Sequence, residues 1–176
     1  SGGHTQLWFV KGIEKYTLLG ETRDDAAGEA FDKGARILGL GYPGGPAIEK
    51  AAKGGNPSKI KFPRSVLGKN NLEFSFSGLK TSLLYFMDSL EEPSKEFKID
   101  IIASYQQAII DVLVEKVRRA LDYTKVTTCV IAGGVAANQC LRDKLITVLK
   151  GKKIIFPEPK FCTDNGAMIS YLGELK

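Results

Sequence analysis

The order of apolar and polar positions along the chain predicts two short strands followed by a helix in its first forty residues. Alternating apolar residues predict strands at positions 6–10 and 16–20, joined by a turn at Lys11-Gly12. From Asp24 the spacing becomes helical, and we expect Asp24 and Asp25 to cap the first turn before glycines end the helix. The buried face of this helix is predicted to contain Ala26, Ala30, Phe31, Ala35, Ile37 and Leu38.

The middle of the chain predicts mostly helical structure. A Gly/Pro loop at 41–46 precedes a predicted short helix at 47–52, an irregular stretch at 54–76 and a helix at 77–89. The strongest helical spacing covers 99–122 and separates an apolar face from a polar one. The apolar face comprises Ile102, Tyr105, Ile109, Leu113, Val117 and Ala120, and the polar face comprises Ser104, Gln107, Asp111, Glu115, Arg118 and Asp122.

The last fifty residues predict alternating strands and helices. A strand at 127–132 stops at two glycines, a helix follows at 137–149, a strand at 153–156 ends before a proline, and a helix covers 164–175. Strands followed by helices at both ends of the chain, with helices between, predict an α/β domain that carries a mostly helical insertion.

Composition narrows the function classes. The chain has 176 residues, one His, three Cys and a formal net charge of +5. One His cannot complete a site with several His ligands, and three unevenly spaced cysteines favour a reducing compartment over a disulfide framework. The modest positive charge permits a polyanionic partner without requiring one. No membrane-length apolar run or secretory leader is visible, so we expect neither a membrane protein nor a secretory precursor.

The most informative local unit is the stretch at 130–138, where a buried strand runs into Gly133-Gly134 and then into a helix. Glycines there allow a ligand to approach the backbone, and a helix start offers N–H groups to an anion. Asn138 can donate and accept hydrogen bonds, so it suits a ribose or a base edge. The alternative is that the glycines only end the strand tightly.

Several common active sites have no support in the sequence. The run at 39–44 matches G-x-G-x-x-G, but it follows a helix and contains Pro43, which argues against a dinucleotide site. No P-loop, zincin or nucleophile-elbow motif is present.

Four further features each allow a structural and a functional interpretation. Asp32 is either a surface residue or a carboxylate that accepts ribose hydroxyls, and Asp164 is either a helix cap or a metal ligand. His4 is either structural or a ligand. The run at 74–80 mixes aromatic, hydroxyl and cationic residues, and it either contacts a nucleic acid or contributes core phenylalanines where a helix begins.

Six segments, taken in order, resemble a known family. They are SGGHTQL at 1–7, LGETRDDAAGEAFDK at 19–33, YPGGP at 42–46, FSFSGLKT at 74–81, GGVAAN at 133–138 and CTDNGAMI at 162–169. This order closely resembles the TsaD family, formerly Gcp or YgjD, of tRNA threonylcarbamoyladenosine synthase subunits. The resemblance covers nearly the whole chain.

The resemblance implies an actin-like ATPase fold (ASKHA, RNase H-like) and a tRNA-modifying transferase activity. Such an enzyme moves a threonylcarbamoyl group from its adenylate to the N6 of the adenosine beside the anticodon and releases AMP. The implied partners are tRNA, TsaB and TsaE, with TsaC supplying the adenylate, and no membrane. The implied location is the cytoplasm of a bacterium, or the mitochondrion for a eukaryotic paralogue.

The resemblance also assigns individual residues. Ser1, Gly2 and Gly3 match the motif beside the acyl-adenylate, and Asp32, Gly45 and Asn138 match substrate-binding positions. Asp164 matches a metal-binding Asp. The implied cofactors are one divalent metal, iron or zinc, and an adenine nucleotide, which is threonylcarbamoyl-adenylate, ATP or ADP.

The family's first lobe, with its His-x-x-x-His metal ligands and its phosphate loop, has no counterpart in this sequence. The resemblance therefore implies a C-terminal lobe, with its first part at 1–45, a mostly helical insertion at 46–124 and the remainder at 125–176. We expect this lobe alone to be inactive and to self-associate through exposed apolar surface. The alternatives are a non-catalytic actin-like interaction module of the TsaB type and a phosphotransferase of the same superfold.

Overall fold

The computed structural model describes residues 3–65, 68, 70–162 and 166–175, and these residues form a mixed α/β structure. The strands are β1 (Gln6–Gly12), β2 (Lys15–Glu21), β3 (Thr128–Val130) and β4 (Lys153–Ile155). The helices are α1 (Ala27–Ile37), α2 (Gly44–Ala51), α3 (Ser77–Asp88), α4 (Lys95–Thr124), α5 (Gln139–Val148) and α6 (Gly166–Glu174). Short 3-10 helices cover Gly134–Ala137 and Pro159–Phe161. The α/β prediction is confirmed.

Strands pair near both ends of the chain. β1 and β2 form an antiparallel hairpin in which Trp8 lies opposite Leu18 and Val10 lies opposite Tyr16. The predicted turn at Lys11-Gly12 is wrong, because β1 continues to Gly12 and the chain turns after it. β3 and β4 are parallel, with α5 between them in the chain, as expected for a strand-helix-strand unit.

Helix α1 forms where its spacing predicts it, but the predicted caps are wrong. The backbone N–H of Ala26 donates to Oε2 of Glu29 at 2.8 Å, and the N–H of Ala27 donates to Oγ1 of Thr5 at 2.9 Å. Asp24 instead binds the start of α3, and Asp25 forms an ion pair with Lys33. Asp24 and Asp25 are therefore close to the start of α1 in sequence, but neither of them caps it.

Helices α2 and α4 both begin earlier than predicted. α2 starts at Gly44 rather than at residue 47, so the preceding loop is shorter. α4 starts at Lys95 because Oγ of Ser94 accepts the N–H of Phe97 and caps the first turn. The predicted polar face of α4 is partly wrong, because Ser104 is buried and bonded to the irregular segment at Asn56 and Ile60.

The core has two clusters, and α4 contributes to both of them. One cluster packs α1, α2 and α3 against the first half of α4, around Phe31, Phe76 and Tyr105. The other packs α5 against the second half of α4, around Ile110 and Leu145. A helix of 30 residues is about 45 Å long, which lets it support both ends of the structure.

The C-terminal part follows the predicted alternation with shorter elements. β3 and β4 have three residues each. The predicted helix at 137–149 is α5, and a 3-10 helix at Gly134–Ala137 precedes it. The start of the predicted helix at residue 164 lies outside the described residues. Among the helices that the structure describes, we find none with the length and apolar character to span a bilayer.

Candidate functional site

Four of the seven predicted site residues lie in the described part of the chain. Asp32, Gly45 and Asn138 come from three different helices or helix starts, and Gly3 lies in an exposed turn before β1 with φ of +89°. Ser1, Gly2 and Asp164 lie outside the described residues.

Asp32 ties α1 to the start of α2. Its Oδ1 accepts a hydrogen bond from the backbone N–H of Gly44 at 2.7 Å. The other oxygen, Oδ2, makes no hydrogen bond to any residue within the described ranges. This carboxylate is therefore held by one oxygen, and its second oxygen is available for a ligand hydroxyl.

Only glycine at position 44 allows the chain to approach Asp32 this closely. A Cβ at Gly44 would lie 2.5 Å from Cα of Asp32 and 2.7 Å from the carbonyl oxygen of Phe31. At Gly45 a Cβ would meet nothing within 4 Å. Gly44 is therefore required by packing, whereas the open space at Gly45 leaves the backbone accessible to a ligand.

A cleft lies along the polar side of α1. It has a volume of about 390 Å³, and its lining residues are Glu29, Asp32, Lys33, Arg36, Leu40, Gly41 and Tyr42. The four helical residues share one face because they follow i, i+3, i+4, i+7 spacing. Tyr42 is 86% exposed, so an aromatic ring stands beside this cleft. The cleft combines two carboxylates, two cations and an aromatic ring, which suits a polar ligand with an aromatic group.

Asn138 is 6% exposed and is held by two hydrogen bonds. Its Oδ1 accepts the N–H of Leu141 at 3.0 Å, and so it caps α5. Its Nδ2 donates to Oε1 of Gln106 at 3.0 Å. The amide is thus oriented by α5 and α4 together.

Three N–H groups near the start of α5 already have partners within the protein. Gln139 donates its backbone N–H to Oε1 of Glu49 at 2.7 Å, and Leu141 donates to Asn138. The preceding 3-10 helix uses the N–H of Ala136, which donates to the carbonyl of Gly133 at 2.9 Å. These three N–H groups are therefore used within the protein, and the anion site at this helix start stays a prediction.

Glu49 and Gln106 were missed by the sequence analysis. Glu49 joins α2 to the start of α5, and so it links the helix that begins with Gly44 and Gly45 to the residue after Asn138. The spacing of Glu49 from Gly45, one turn of helix, is the signal that could have found it. Gln106 comes from α4, and no local signal near Asn138 indicates it.

Arg142 connects the Gly133–Ala137 region to the segment that precedes Asp164. Its Nε donates to the carbonyl of Ala136 at 2.6 Å, and its Nη2 donates to the carbonyl of Pro157 at 3.2 Å. Its guanidinium also lies 4.9 Å from the centre of the Phe156 ring. Arg142 therefore links the 3-10 helix before Asn138 to the segment that follows β4.

The described residues do not form a metal centre by themselves. His4 is exposed, and no group of three His, Cys, Asp or Glu residues within these ranges is arranged to hold a metal ion. Burial raises the pKa of Cys129 and of Cys140, so these thiols are poor sources of thiolate ligands.

The aromatic run at 74–80 belongs to the core. Phe74 and Phe76 are buried, and their rings stack with centroids 6.2 Å apart. Ser75 and Ser77 donate their hydroxyl hydrogens to Oδ2 of Asp24 at 2.6 and 2.9 Å. Of the two interpretations of this run, the structure favours core phenylalanines at a helix start over contact with a nucleic acid.

Comparison with known proteins gives consistent matches along the whole chain. The sequence pattern of the family described as TsaD, tRNA N6-adenosine threonylcarbamoyltransferase, matches residues 1–171. Proteins named tRNA N6-adenosine threonylcarbamoyltransferase from Herminiimonas arsenicoxydans and Desulfitobacterium hafniense are 51% and 52% identical to the chain. These matches cover 100% and 98% of this chain, and 52% of each relative. A third, from Aromatoleum aromaticum, is 48% identical over 100% of the chain and 52% of its own length. The chain spans about half the length of the curated relatives that it matches.

Proposed function

The chain belongs to the TsaD family, and on that premise we propose that it is the C-terminal lobe of a tRNA N6-adenosine threonylcarbamoyltransferase. The full-length enzyme transfers a threonylcarbamoyl group from threonylcarbamoyl-adenylate to the N6 of the adenosine beside the anticodon. We infer that these 176 residues alone are inactive, because the relatives that they match are about twice as long.

The proposed architecture is an actin-like lobe interrupted by a mostly helical insertion. Two observations support it: the hairpin of β1 and β2 precedes the helical region, and the parallel pair of β3 and β4 follows it. Helices α2, α3 and α4 lie between these two strand pairs in the chain, in the predicted insertion at 46–124 and just before it.

The observation that carries the proposal is the Asp32 arrangement. One oxygen of Asp32 accepts the N–H of Gly44, and the next residue, Gly45, has open space beside its backbone. A carboxylate beside exposed backbone is a suitable partner for the hydroxyls of a ribose. Asn138 then supplies a hydrogen bond to the adenine edge, and the Gly3 segment lies towards the acyl phosphate.

The reaction needs binding and orientation more than a protein nucleophile. N6 of the tRNA adenosine attacks the carbamoyl carbonyl carbon, so an N–C bond forms while the C–O bond to the adenylate phosphate breaks. AMP leaves with the electron pair of that bond, and N6 loses a proton to solvent. Asp32, Gly45 and Asn138 hold the adenylate, and this fixed position lowers the barrier by orientation.

A divalent iron or zinc ion is the proposed cofactor, with Asp164 as one ligand and histidine ligands outside this chain. When bound, such an ion would polarise the carbamoyl carbonyl and neutralise phosphate charge. The described residues hold no complete ligand set, so we assign no further step to it. The proposed partners are tRNA, TsaB and TsaE, with TsaC supplying the adenylate in the bacterial cytoplasm.

The test uses the full-length protein with its partners and measures threonylcarbamoyladenosine in tRNA. Asp32→Asn keeps an oxygen for Gly44 but removes the charge, and we expect activity to fall at least about tenfold. Asp122→Asn is the matched control, because Asp122 is an exposed carboxylate on α4 paired with Arg118. Equal activity of the Asp32 variant, the Asp122 variant and the wild type would overturn the proposal.

A further inference from the structure

The Asn138 amide has one orientation because one of its partners can only donate. The backbone N–H of Leu141 lies 3.0 Å from the atom assigned as Oδ1. A backbone N–H is never an acceptor, so this side of the amide must be the oxygen. The Nδ2 group therefore faces the opposite direction, towards Gln106 on α4.

Gln106 fixes the plane of that amide. Its Oε1 accepts one hydrogen of Nδ2 at 3.0 Å, and Gln106 itself is 7% exposed. Oδ1 is turned towards the first turn of α5 and one N–H towards Gln106. The second hydrogen of Nδ2 meets no acceptor among the described residues, so it is the donor left for a ligand. Its direction is set by the same plane.

Gln106 interrupts an apolar stretch on the buried side of α4. One turn away on either side lie Ile102, Ala103, Ile109 and Ile110, which are buried and apolar. Replacing a buried hydrogen-bonded pair by apolar side chains of similar shape is nearly neutral for stability. The amide pair is therefore better explained by what it does for Asn138.

We propose that Gln106 is a positioning residue that directs the free N–H of Asn138 at N1 of adenine. This inference rests on the proposed function. Adenine presents an acceptor at N1, whereas guanine carries a hydrogen there, so a fixed donor favours adenine over guanine. Helix α4, which belongs to the predicted insertion, thus contributes to base selection from 32 residues away in sequence.

The test measures ADP and GDP binding to the full-length protein by calorimetry. Gln106→Leu removes the acceptor, and we expect ADP to bind about tenfold more weakly, with a smaller preference for ADP over GDP. Gln106→Glu keeps an acceptor oxygen and should retain the preference. Gln107→Leu is the control, because Gln107 is the next residue on α4 but bonds to Asp111 instead.

A double-mutant cycle separates positioning from a general loss of structure. In an Asn138→Ala background, Gln106→Leu should cause no further loss of ADP affinity, because Gln106 acts through Asn138. Additive losses would overturn the inference. Gln106→Met provides the same comparison if the leucine variant fails to fold.

Two results distinguish this inference from the proposed function. If Asn138→Ala loses ADP affinity and Gln106→Leu keeps wild-type affinity and selectivity, the positioning role is wrong and the proposed function stands. If the wild-type protein does not bind ADP at all, the positioning role is overturned, and the tRNA assay alone decides the proposed function.

Discussion

Asp24 accepts a hydrogen bond at 2.7 Å from the backbone N–H of Phe76, a residue 52 positions later in the chain. The same carboxylate oxygen accepts the N–H of Ser77 at 3.1 Å, and the other oxygen accepts two serine hydroxyls. This side chain therefore joins the segment between β2 and α1 to the first turn of α3. Burial raises the pKa of Asp24, but the hydrogen bonds from Ser75, Phe76 and Ser77 outweigh it and hold the pKa below its ordinary value.

Asp24→Ala should destabilise the chain more than loss of a local helix cap. We expect a loss of about 1 to 2 kcal/mol in the free energy of unfolding, the upper range for a cap, because a tertiary link is removed as well. The measurement is thermal unfolding followed by circular dichroism. Ser94→Ala is the control, since it removes one hydrogen bond within the first turn of α4. Equal losses in the two variants would show that the link to Phe76 adds nothing.

The pairing of Asp24 with Phe76 also shows where the sequence stops being informative. The apolar spacing of α1 predicted its buried face, because Ala30, Phe31 and Ala35 are all in the core. The local sequence also predicted that Asp24 caps α1, and this is wrong because a carboxylate binds whichever N–H groups the fold brings near it. The hydrogen-bond partners of Asp24 depend on long-range packing, which cannot be predicted from the residues next to it in the sequence.

In the candidate site too, the sequence indicates some residues and does not indicate others. Asp32, Gly45 and Asn138 carry residue types that suit a nucleotide, so resemblance found them. Glu49 and Gln106 were missed because each reaches the site from a helix that is distant in sequence, 90 and 32 residues from its partner. Ser104 was placed on a polar surface, yet the irregular segment at 56–60 covers it.

Because of Lys116, the free energy of unfolding should change with pH in the alkaline range. Its side chain is fully buried, and Nζ donates to the carbonyl of Asn71 at 2.8 Å. Burial, followed by repulsion from Arg119, lowers the pKa of Lys116 to about 8 from 10.5. Between these two values the unfolded chain binds more protons than the folded chain, so stability rises as pH increases through this window.

Urea unfolding of the wild type and of Lys116→Met, from pH 7.5 to 10.5, measures this effect. The difference in unfolding free energy between the two should shift in favour of the wild type as pH rises. Tyr105, whose pKa is raised by burial, is present in both proteins and cancels in the difference. A difference that stays constant across this range would contradict the lowered pKa.

Gly44 and Gly45 should respond in opposite ways to the same substitution. Gly44→Ala would place a methyl group 2.5 Å from Cα of Asp32, against backbone that cannot move aside, and should cost about 1 to 3 kcal/mol. Gly45→Ala meets no atom within 4 Å and lies in the first turn of α2. Its unfolding temperature should stay the same or rise, because alanine favours a helix over glycine by about 0.5 to 1 kcal/mol.

ADP binding should depend on Gly45 in a way that it does not depend on a similarly placed glycine elsewhere. Because the space beside Gly45 is where the proposed nucleotide lies, Gly45→Ala in the full-length protein should weaken ADP binding about tenfold while the fold is kept. Gly78→Ala is the matched control, since Gly78 also lies in the first turn of a helix with nothing within 4 Å. ADP affinity that is equal in the Gly45 and Gly78 variants would remove Gly45 from the site, whereas loss in the Gly45 variant alone places the ligand against this backbone.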